Sequence, residues 1–211
     1  MKLLIRSNEV LMNELLFQPI ADELIIERIS NLSELSLYKD AAAIIDLLFE
    51  NTEEEKKLLA QFLPKPVIVN SVCDTLQEID QPFIRINGWP TLLKRKITEA
   101  ACLSSTNRQT VETIFAALGR KTEWVNDQPG FISARIISMI VNEAFFSISE
   151  SVSNKEEIDI AMKLGANYLY GPFEWGEKIG MNNICQLLTK LSKNEARYLP
   201  CDFLTKSVFP N

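Results

Sequence analysis

The first 126 residues alternate short apolar runs of strand length with segments of helical period, and this alternation limits the fold more than any other feature. The strand-like runs are Lys2–Arg6, Ala41–Phe49, Pro66–Val72, Pro82–Ile86, Lys96–Leu103 and Lys121–Asn126. The helical segments are Glu9–Leu24, Thr52–Leu63 with Thr52 as its cap, and Ser105–Leu118 closed by Gly119. Because strands that alternate with helices form helix-covered sheets, we predict an open α/β sheet.

Beyond Asp127 the pattern is almost wholly helical. Pro129 and Gly130 interrupt the chain there. The predicted elements are a helix at Phe131–Ser149, a second opened by a Ser153/Glu156 capping box and ending before Gly165, a turn-rich connector at Gly171–Gly180, a third helix at Met181–Leu191, and a tail without clear period from Asn194. We therefore predict two domains, α/β over residues 1–127 and all-α over residues 128–211.

The charge and the histidine content exclude several classes of function. The chain has 28 acidic and 22 basic residues and a net charge of -6, which opposes binding to a nucleic-acid backbone. It has no histidine, which excludes mechanisms that need an imidazole as general base or metal ligand. We expect neither a nucleic-acid partner nor a bound metal.

The cysteines and the apolar runs indicate a compartment. Cys73, Cys102, Cys185 and Cys201 are far apart and form no CxxC pair, as expected of reduced thiols. The start, MKLLIRSNEV, has neither the apolar core nor the cleavage site of a signal peptide. The richest apolar stretch, Phe131–Phe146, is interrupted by polar residues and is too short for a membrane helix. We expect a cytoplasmic protein that does not span a membrane.

Glycine is missing where a nucleotide-binding turn would need it. The first 87 residues contain none, and the first of the seven glycines is Gly88. Glycines between a first strand and a first helix let backbone amides approach a pyrophosphate. The corresponding turn here, Ile5–Leu11, lacks this dinucleotide fingerprint, and we interpret Lys2–Arg6 as a structural first strand.

Six blocks of sequence carry a resemblance to a known family. Three lie in the second half: Val125–Arg135 (VNDQPGFISAR), Ile158–Gly165 (IDIAMKLG) and Gly171–Glu174 (GPFE). Three weaker ones lie upstream: Asp46–Asn51 with the Lys56-Lys57 helix after it, Val67–Leu76, and Phe83–Glu99. Together they resemble the 3-hydroxyacyl-CoA dehydrogenases over about residues 41 to 190. The resemblance implies a reduced Rossmann-like domain followed by a helical domain like the C-terminal domain of 6-phosphogluconate dehydrogenase.

The resemblance also assigns candidate catalytic residues. In that family a His in a GLHFFNP block acts as acid/base on the 3-oxygen of the substrate, and a Glu twelve residues later orients it. Asn87 takes the place of the His, Glu99 that of the Glu, and Ser71 matches the first Ser of an SNTSSL segment. The Asn of the family's PGFxxNR helix is Ala134 here, while Arg135 is kept. An asparagine can hydrogen-bond but cannot titrate.

The family uses NAD as cofactor, yet the glycine turn, the His and the Asn are missing together. We therefore expect no cofactor and no ordinary NAD-dependent hydroxyacyl-CoA oxidation. The leading hypothesis is a divergent member that keeps an acyl-CoA-sized cleft without the dehydrogenase chemistry. A second is an active oxidoreductase on 3-hydroxyacyl-CoA whose proton comes from Glu99 or Asp74. A third is a non-catalytic subunit that joins a partner through its helices.

Two further groups of residues have alternative interpretations. Arg85, Lys94, Arg95 and Lys96 form a basic cluster that either holds a CoA phosphate or is a solvated edge. The residues matched in the helical domain are either folding residues or, by analogy with the family, part of a dimer interface and one wall of an acyl cleft: Pro129–Phe131, Asp159, Gly165 and Gly171–Phe173. We expect the helical domain to form a homodimer.

Overall fold

The computed structural model describes residues 1–209, which divide into two compact units. The first is Met1–Phe131 and the second begins at Ile132. The boundary predicted after Asp127 lies just before this division. Within residues 1–209 the cysteines are all free thiols, and no helix is long and apolar enough to cross a membrane.

The first unit is built on a seven-stranded sheet. Its strands are β1 (Lys2–Arg6), β2 (Ile25–Ile29), β3 (Ala43–Asp46), β4 (Val67–Asn70), β5 (Ile84–Ile86), β6 (Ile97–Cys102) and β7 (Lys121–Trp124). The order in the sheet is β2-β1-β3-β4-β5-β6-β7. Strands β1 to β5 are parallel, β6 runs antiparallel to β5, and β7 is parallel to β6. The predicted α/β class is confirmed.

Helices cover both faces of this sheet. They are α1 (Glu9–Leu15), α2 (Glu53–Ala60), α3 (Leu76–Ile79) and α4 (Arg108–Ala117), with a 3-10 helix at Leu32–Leu37. Alternate residues of β1 enter different cores, Leu3 and Ile5 on one face and Leu4 on the other. As predicted, Thr52 caps α2, since its side chain accepts a hydrogen bond from the Glu55 amide.

The predicted helix at Glu9–Leu24 is wrong in its second half. Helix α1 ends at Leu15, and the chain then forms the unpredicted strand β2. Pro19 lies four residues after Leu15, where its ring and missing N–H oppose a continued helix. Strand β2 escaped prediction because it is a half-exposed edge strand whose centre is the charged pair Glu27-Arg28.

The second unit is wholly helical in its described residues. Its helices are α5 (Ser133–Ser149), α6 (Lys155–Gly165), α7 (Pro172–Ile179), α8 (Met181–Ser192) and α9 (Asp202–Val208), with a 3-10 turn at Ala196–Tyr198. The predicted connector at Gly171–Gly180 is wrong, since it forms α7 with Pro172 in its first turn. The predicted patternless tail contains α9. Helix α6 is capped by Asn154, not Ser153, and extends through Gly165.

Most of the family-like residues of this unit hold α6 against α7. The buried carboxylate of Asp159 accepts hydrogen bonds from the backbone amides of Phe173, at 2.8 Å, and Glu174, at 3.2 Å. It thereby caps the first turn of α7 from a neighbouring helix. A Cβ at Gly171 would lie 2.2 Å from the Asp159 carboxyl, so that close approach requires glycine. These contacts give the residues a folding role.

Candidate functional site

The candidate site lies at the carboxyl ends of the parallel strands. From β1 the chain continues to β2 on one side, whereas β3 pairs with the other side of β1. The crevice above β1 and β3 is therefore the topological switch point, where open α/β sheets bind their ligands. Arg6 ends β1 and Asp46 ends β3, so these two residues define the crevice.

A buried ion-pair cluster fills this crevice. The Nε of Arg6 donates to Asp46 Oδ1 at 2.7 Å, and its Nη2 lies 2.6 Å from Glu55 Oε1 on α2. The same Nη2 donates to the Leu48 carbonyl at 3.0 Å. Arg6 is 9% exposed and Asp46 is fully buried. Burial raises the pKa of Asp46 to about 6, although the hydrogen bond and the charge of Arg6 lower it.

The turn after β1 does not fit a dinucleotide. Asn8 occupies the N-terminus of α1 with its own side chain, which accepts from the Leu11 amide at 2.9 Å. The Arg6 side chain reaches across the ends of β1 and β3, and a pyrophosphate there would meet the carboxylates of Asp46 and Glu55. The residues present therefore do not fit NAD.

The structure brings Asn87 and Glu99 together. Asn87 directly follows β5, and Glu99 lies on the antiparallel strand β6. The Asn87 side-chain amide donates through Nδ2 to Glu99 Oε2 at 2.8 Å, and its backbone N–H donates to the Glu99 carbonyl at 3.1 Å. Asn87 is 2% and Glu99 5% exposed. This pair can orient a ligand by hydrogen bonding, but Asn87 cannot exchange a proton.

Asn70, which the sequence analysis did not single out, ties this pair to the crevice. Its Oδ1 accepts from the Gly88 amide at 3.0 Å, and its Nδ2 donates to the Leu47 carbonyl at 3.2 Å. A Cβ on Gly88 would lie 2.7 Å from the Asn70 side chain, so only glycine permits this contact. The end of β3 and the segment after β5 are thus linked across β4. The VIVN ending of β4 gave no signal that its Asn would make this bridge.

Ser71 and Asp74 lie in the turn that follows β4. The Ser71 hydroxyl donates to the Asp74 carbonyl at 3.3 Å. The carboxylate of Asp74 accepts from Asn51 Nδ2 at 3.2 Å. Both side chains therefore shape this turn at the carboxyl edge of the sheet.

The assignment of Arg85 to a phosphate-binding cluster is wrong. Arg85 is fully buried on β5, where its Nε donates to the Ser71 carbonyl at 2.9 Å and its Nη2 to the Val72 carbonyl at 3.2 Å. Its Nη1 pairs with Asp127, and its guanidinium lies 4.7 Å from the centre of the Phe131 ring. Burial lowers the pKa of Arg85, against the opposing effect of Asp127. Arg85 is a structural residue.

The other three basic residues lie between β5 and β6. Lys94 and Arg95 are half-buried, and Lys96 is exposed. Burial lowers the pKa of Arg95, whereas the charge of Glu99 raises it. The proposed phosphate contact of these three side chains stays a prediction.

Comparisons with known proteins show what the chain is similar to. The model for the C-terminal domain of 3-hydroxyacyl-CoA dehydrogenase matches residues 130–209. The 3-hydroxyadipyl-CoA dehydrogenase of Escherichia coli is 32% identical over 162 residues, which are 75% of this chain and 30% of that protein. The 3-hydroxybutyryl-CoA dehydrogenase of Bradyrhizobium diazoefficiens is 29% identical over 199 residues, 87% of this chain and 68% of that protein.

A solved structure extends the likeness to the whole fold. The (S)-3-hydroxybutyryl-CoA dehydrogenase of Ralstonia eutropha superposes with a TM-score of 0.75, over 98% of this chain and 93% of that chain, at 20% identity. The molecule is thus a Rossmann-like α/β unit followed by a helical unit of the dehydrogenase type. The helical unit thus matches the C-terminal domain of the 3-hydroxyacyl-CoA dehydrogenase family, and the chain as a whole is similar to dehydrogenases of that family.

Proposed function

We propose that this chain binds an acyl-CoA thioester without carrying out NAD-dependent hydride transfer. The observation that carries this proposal is the turn after β1, which has no glycine and beside which Arg6 pairs with Asp46 and Glu55 across the switch point. The second support is Asn87, because a residue without a titratable group cannot exchange the proton that accompanies hydride transfer.

The acyl-CoA ligand is proposed from the relatives. Their names specify 3-hydroxyadipyl-CoA and 3-hydroxybutyryl-CoA as substrates. The half-buried to exposed basic side chains of Lys94, Arg95 and Lys96 supply a candidate contact for the CoA phosphates. The paired Asn87 and Glu99 supply polar groups for the acyl end.

A thermal-shift titration tests this proposal with NADH and acetoacetyl-CoA in separate arms. A ligand at about 100 times its Kd adds about 2.7 kcal/mol to the free energy of unfolding. We expect a rise in Tm with acetoacetyl-CoA and none with NADH, with a dehydrogenase that binds NADH as the positive control. A rise in Tm with NADH would contradict the inference that the crevice does not fit a dinucleotide. No rise with either ligand favours a subunit that acts only by joining a partner.

A second candidate function is an oxidoreductase with an atypical proton source. It is favoured by the buried carboxylate of Glu99 at hydrogen-bond distance from Asn87. In that case acetoacetyl-CoA is turned over with NADH, and Glu99→Gln or Asp74→Asn lowers kcat and changes the pH–rate profile. Turnover that neither substitution changes excludes both carboxylates as the proton source.

We further propose that the helical unit forms a homodimer, in a cytoplasmic protein. Apolar side chains around α6 are exposed, with Ile160 at 52%, Leu164 at 83% and Leu169 at 70%. Light scattering after size-exclusion chromatography tests this. We expect the mass of two chains for the native protein and of one chain for Leu164→Glu, with Glu177→Lys, an exposed charge change on α7, as the control.

A further inference from the structure

Two cavities lie at the opposite edge of the sheet from the candidate site. Strands β4 and β5 begin at Val67 and Ile84, and the antiparallel strand β6 ends at Cys102, so these three residues lie at the amino edge of the parallel strands. One cavity, of about 360 Å³, is lined by the 3-10 helix and the chain that follows α2. The other, of about 300 Å³, is lined in part by the start of β5 and the end of β6. Both volumes are within the range of small-molecule sites, about 300 to 1,000 Å³.

The first cavity combines apolar surface with two positive charges. Its charged side chains are those of Lys39 and Lys65. None of the described residues that line it is acidic. The carboxylate of Asp40, the residue after Lys39, lies outside the lining and accepts a hydrogen bond from Lys2 at 3.0 Å. The charge of the lining therefore favours an anion.

The two lysines contribute to this cavity in different ways. Lys65 Nζ donates to the Lys39 carbonyl at 2.5 Å and to the Ala41 carbonyl at 2.9 Å, which holds the ammonium in place. An ammonium has three N–H donors, so one is left without a hydrogen bond among the described residues. The side chain of Lys39 is exposed and makes no hydrogen bond or ion pair within residues 1–209.

The second cavity is mainly apolar and shares a wall with the first. Leu63 and Pro64 line both cavities. The rest of its lining includes Phe83 and Leu103, and Leu103 is 66% exposed. A ligand chain that covers Pro64 and Leu103 removes apolar surface from water, which favours binding.

We infer that this amino edge is a second ligand site, which binds the carboxylate form of a free fatty acid. The carboxylate contacts Lys39 and Lys65 in the first cavity. The alkyl chain passes over Leu63 and Pro64 into the second. One anionic head on an apolar chain matches a lining that has its cations in one cavity and mainly apolar residues in the other. The acyl-CoA cleft proposed above lies at the other edge of the sheet, so this inference does not depend on it.

Protection of Cys102 from alkylation by iodoacetamide tests the inference on the full chain, with decanoate as the probe. Cys102 lines the second cavity and is partly exposed. Cys73 is also partly exposed, but it lies in the turn after β4 at the other edge of the sheet. Peptide mass spectrometry measures the alkylation rate at both thiols. At about 10 times its Kd, decanoate is expected to slow alkylation of Cys102 about 10-fold and to leave Cys73 unchanged.

Two related ligands separate the head from the chain. Octanoate has two fewer methylene groups, and each buried methylene contributes about 4-fold in affinity, so octanoate is expected to bind about 10-fold more weakly. Decan-1-ol keeps the chain without the charge, and it is expected to protect Cys102 less than decanoate at the same concentration. Equal protection by decan-1-ol would mean that the site does not recognise an anion and would overturn the inference.

Two substitutions of exposed residues test the two ends of the site. Lys39→Gln is expected to weaken decanoate binding about 5-fold, and Lys57→Gln on α2, outside both linings, is the matched control. Leu103→Gln is also expected to weaken it, with Ile97→Gln at the other end of β6 as the control. Each variant is compared with its own rate in the absence of ligand, and iodoacetamide is uncharged, so the lysine changes do not attract or repel it.

The two thiols also distinguish the sites that a fatty acid could occupy. Slower alkylation of Cys73 alone, or of both thiols equally, would place decanoate in the acyl-CoA cleft or on the surface at large and would overturn the inference. The same conclusion follows if decanoate protects neither thiol below its micelle concentration, or if Lys39→Gln and Lys57→Gln behave alike. Binding of acetoacetyl-CoA at the other edge is a separate result, so the proposed function can stand or fail independently.

Discussion

The free energy cost of the buried charge on Asp46 can be measured with one isosteric substitution, Asp46→Asn. Asp46 is fully buried, and its Oδ1 accepts from Arg6 Nε at 2.7 Å and from the Leu48 amide at 3.0 Å. Its Oδ2 is buried without a partner among the described residues. An asparagine keeps an oxygen in the Oδ1 position for both bonds, removes the charge and places an NH2 group at the Oδ2 position; the pH dependence of the difference isolates the effect of the charge.

The magnitude follows from the pKa of Asp46, which burial raises from 3.8 to about 6. Between these two values the folded state holds more protons than the unfolded state, so the stability from this group falls as the pH rises from about 4 to 6. The full difference corresponds to about 3 kcal/mol. Between pH 4 and pH 8 the native protein is expected to lose about 2 to 3 kcal/mol relative to Asp46→Asn.

Urea unfolding of both proteins at pH 4 and pH 8 measures this difference. Tryptophan fluorescence can follow the transition, since Trp89 is buried in the same unit. Other titrating groups cancel when the change for the native protein is subtracted from the change for the variant. Asp40→Asn is the control: its carboxylate is exposed, and the hydrogen bond from Lys2 lowers its pKa, so its effect is small and of opposite sign.

A difference near zero would refute the reasoning. It would mean that Asp46 ionises at its ordinary pKa in the folded protein, and that Arg6 and the Leu48 amide compensate its burial in full. A difference of the opposite sign would mean that the ion pair stabilises the charged form more than burial destabilises it. Either result would mean that the charged form of Asp46 does not destabilise the folded protein.

Three further substitutions test contacts of the fold by urea unfolding at pH 7. Gly119→Ala is expected to lose about 2 kcal/mol, because Gly119 has a φ of 69° and a Cβ would lie 2.3 Å from the Pro19 carbonyl; an unchanged midpoint would contradict this. Gly171→Ala is expected to lose about 2 kcal/mol through its clash with Asp159, and Gly165→Ala, with open space around it, is the control. Asn142→Leu is expected to lose about 2 kcal/mol, because it removes the partners of the Leu199 carbonyl and the Cys201 amide before α9. A loss below about 0.5 kcal/mol, the usual range for surface substitutions, would contradict this.

The sequence predicted the elements whose signals are local. The strand β1 and the Thr52 cap depend on a few adjacent residues, and the structure has both. Strand β2 and helix α7 were missed because each is decided by distant contacts. The first pairs with β1 although its centre is charged, and the second has its first turn capped by Asp159 of α6. Local propensity is overridden in both.

The candidate site was also predicted only in part. The spacing of Asn87 and Glu99 matched a family pattern, and their contact follows from the antiparallel pairing of β5 and β6. Arg85 was placed with its basic neighbours because sequence alone shows charge and not direction. Because Arg85 lies on the interior strand β5, its side chain is buried in the protein, where it pairs with Asp127.

The ion-pair cluster of Arg6 could not be predicted from the sequence, although the absence of glycine from the turn after β1 could be seen there. Asp46 lies 40 residues from Arg6, and no local pattern joins them. A glycine turn serves a phosphate because uncompensated backbone amides meet an anion from outside. Here the anions, Asp46 and Glu55, belong to the protein, and Arg6 is the cation that pairs with both. Glycines placed in the turn would still face two carboxylates, so we predict that dinucleotide binding needs changes in β3 and α2 as well as in the turn.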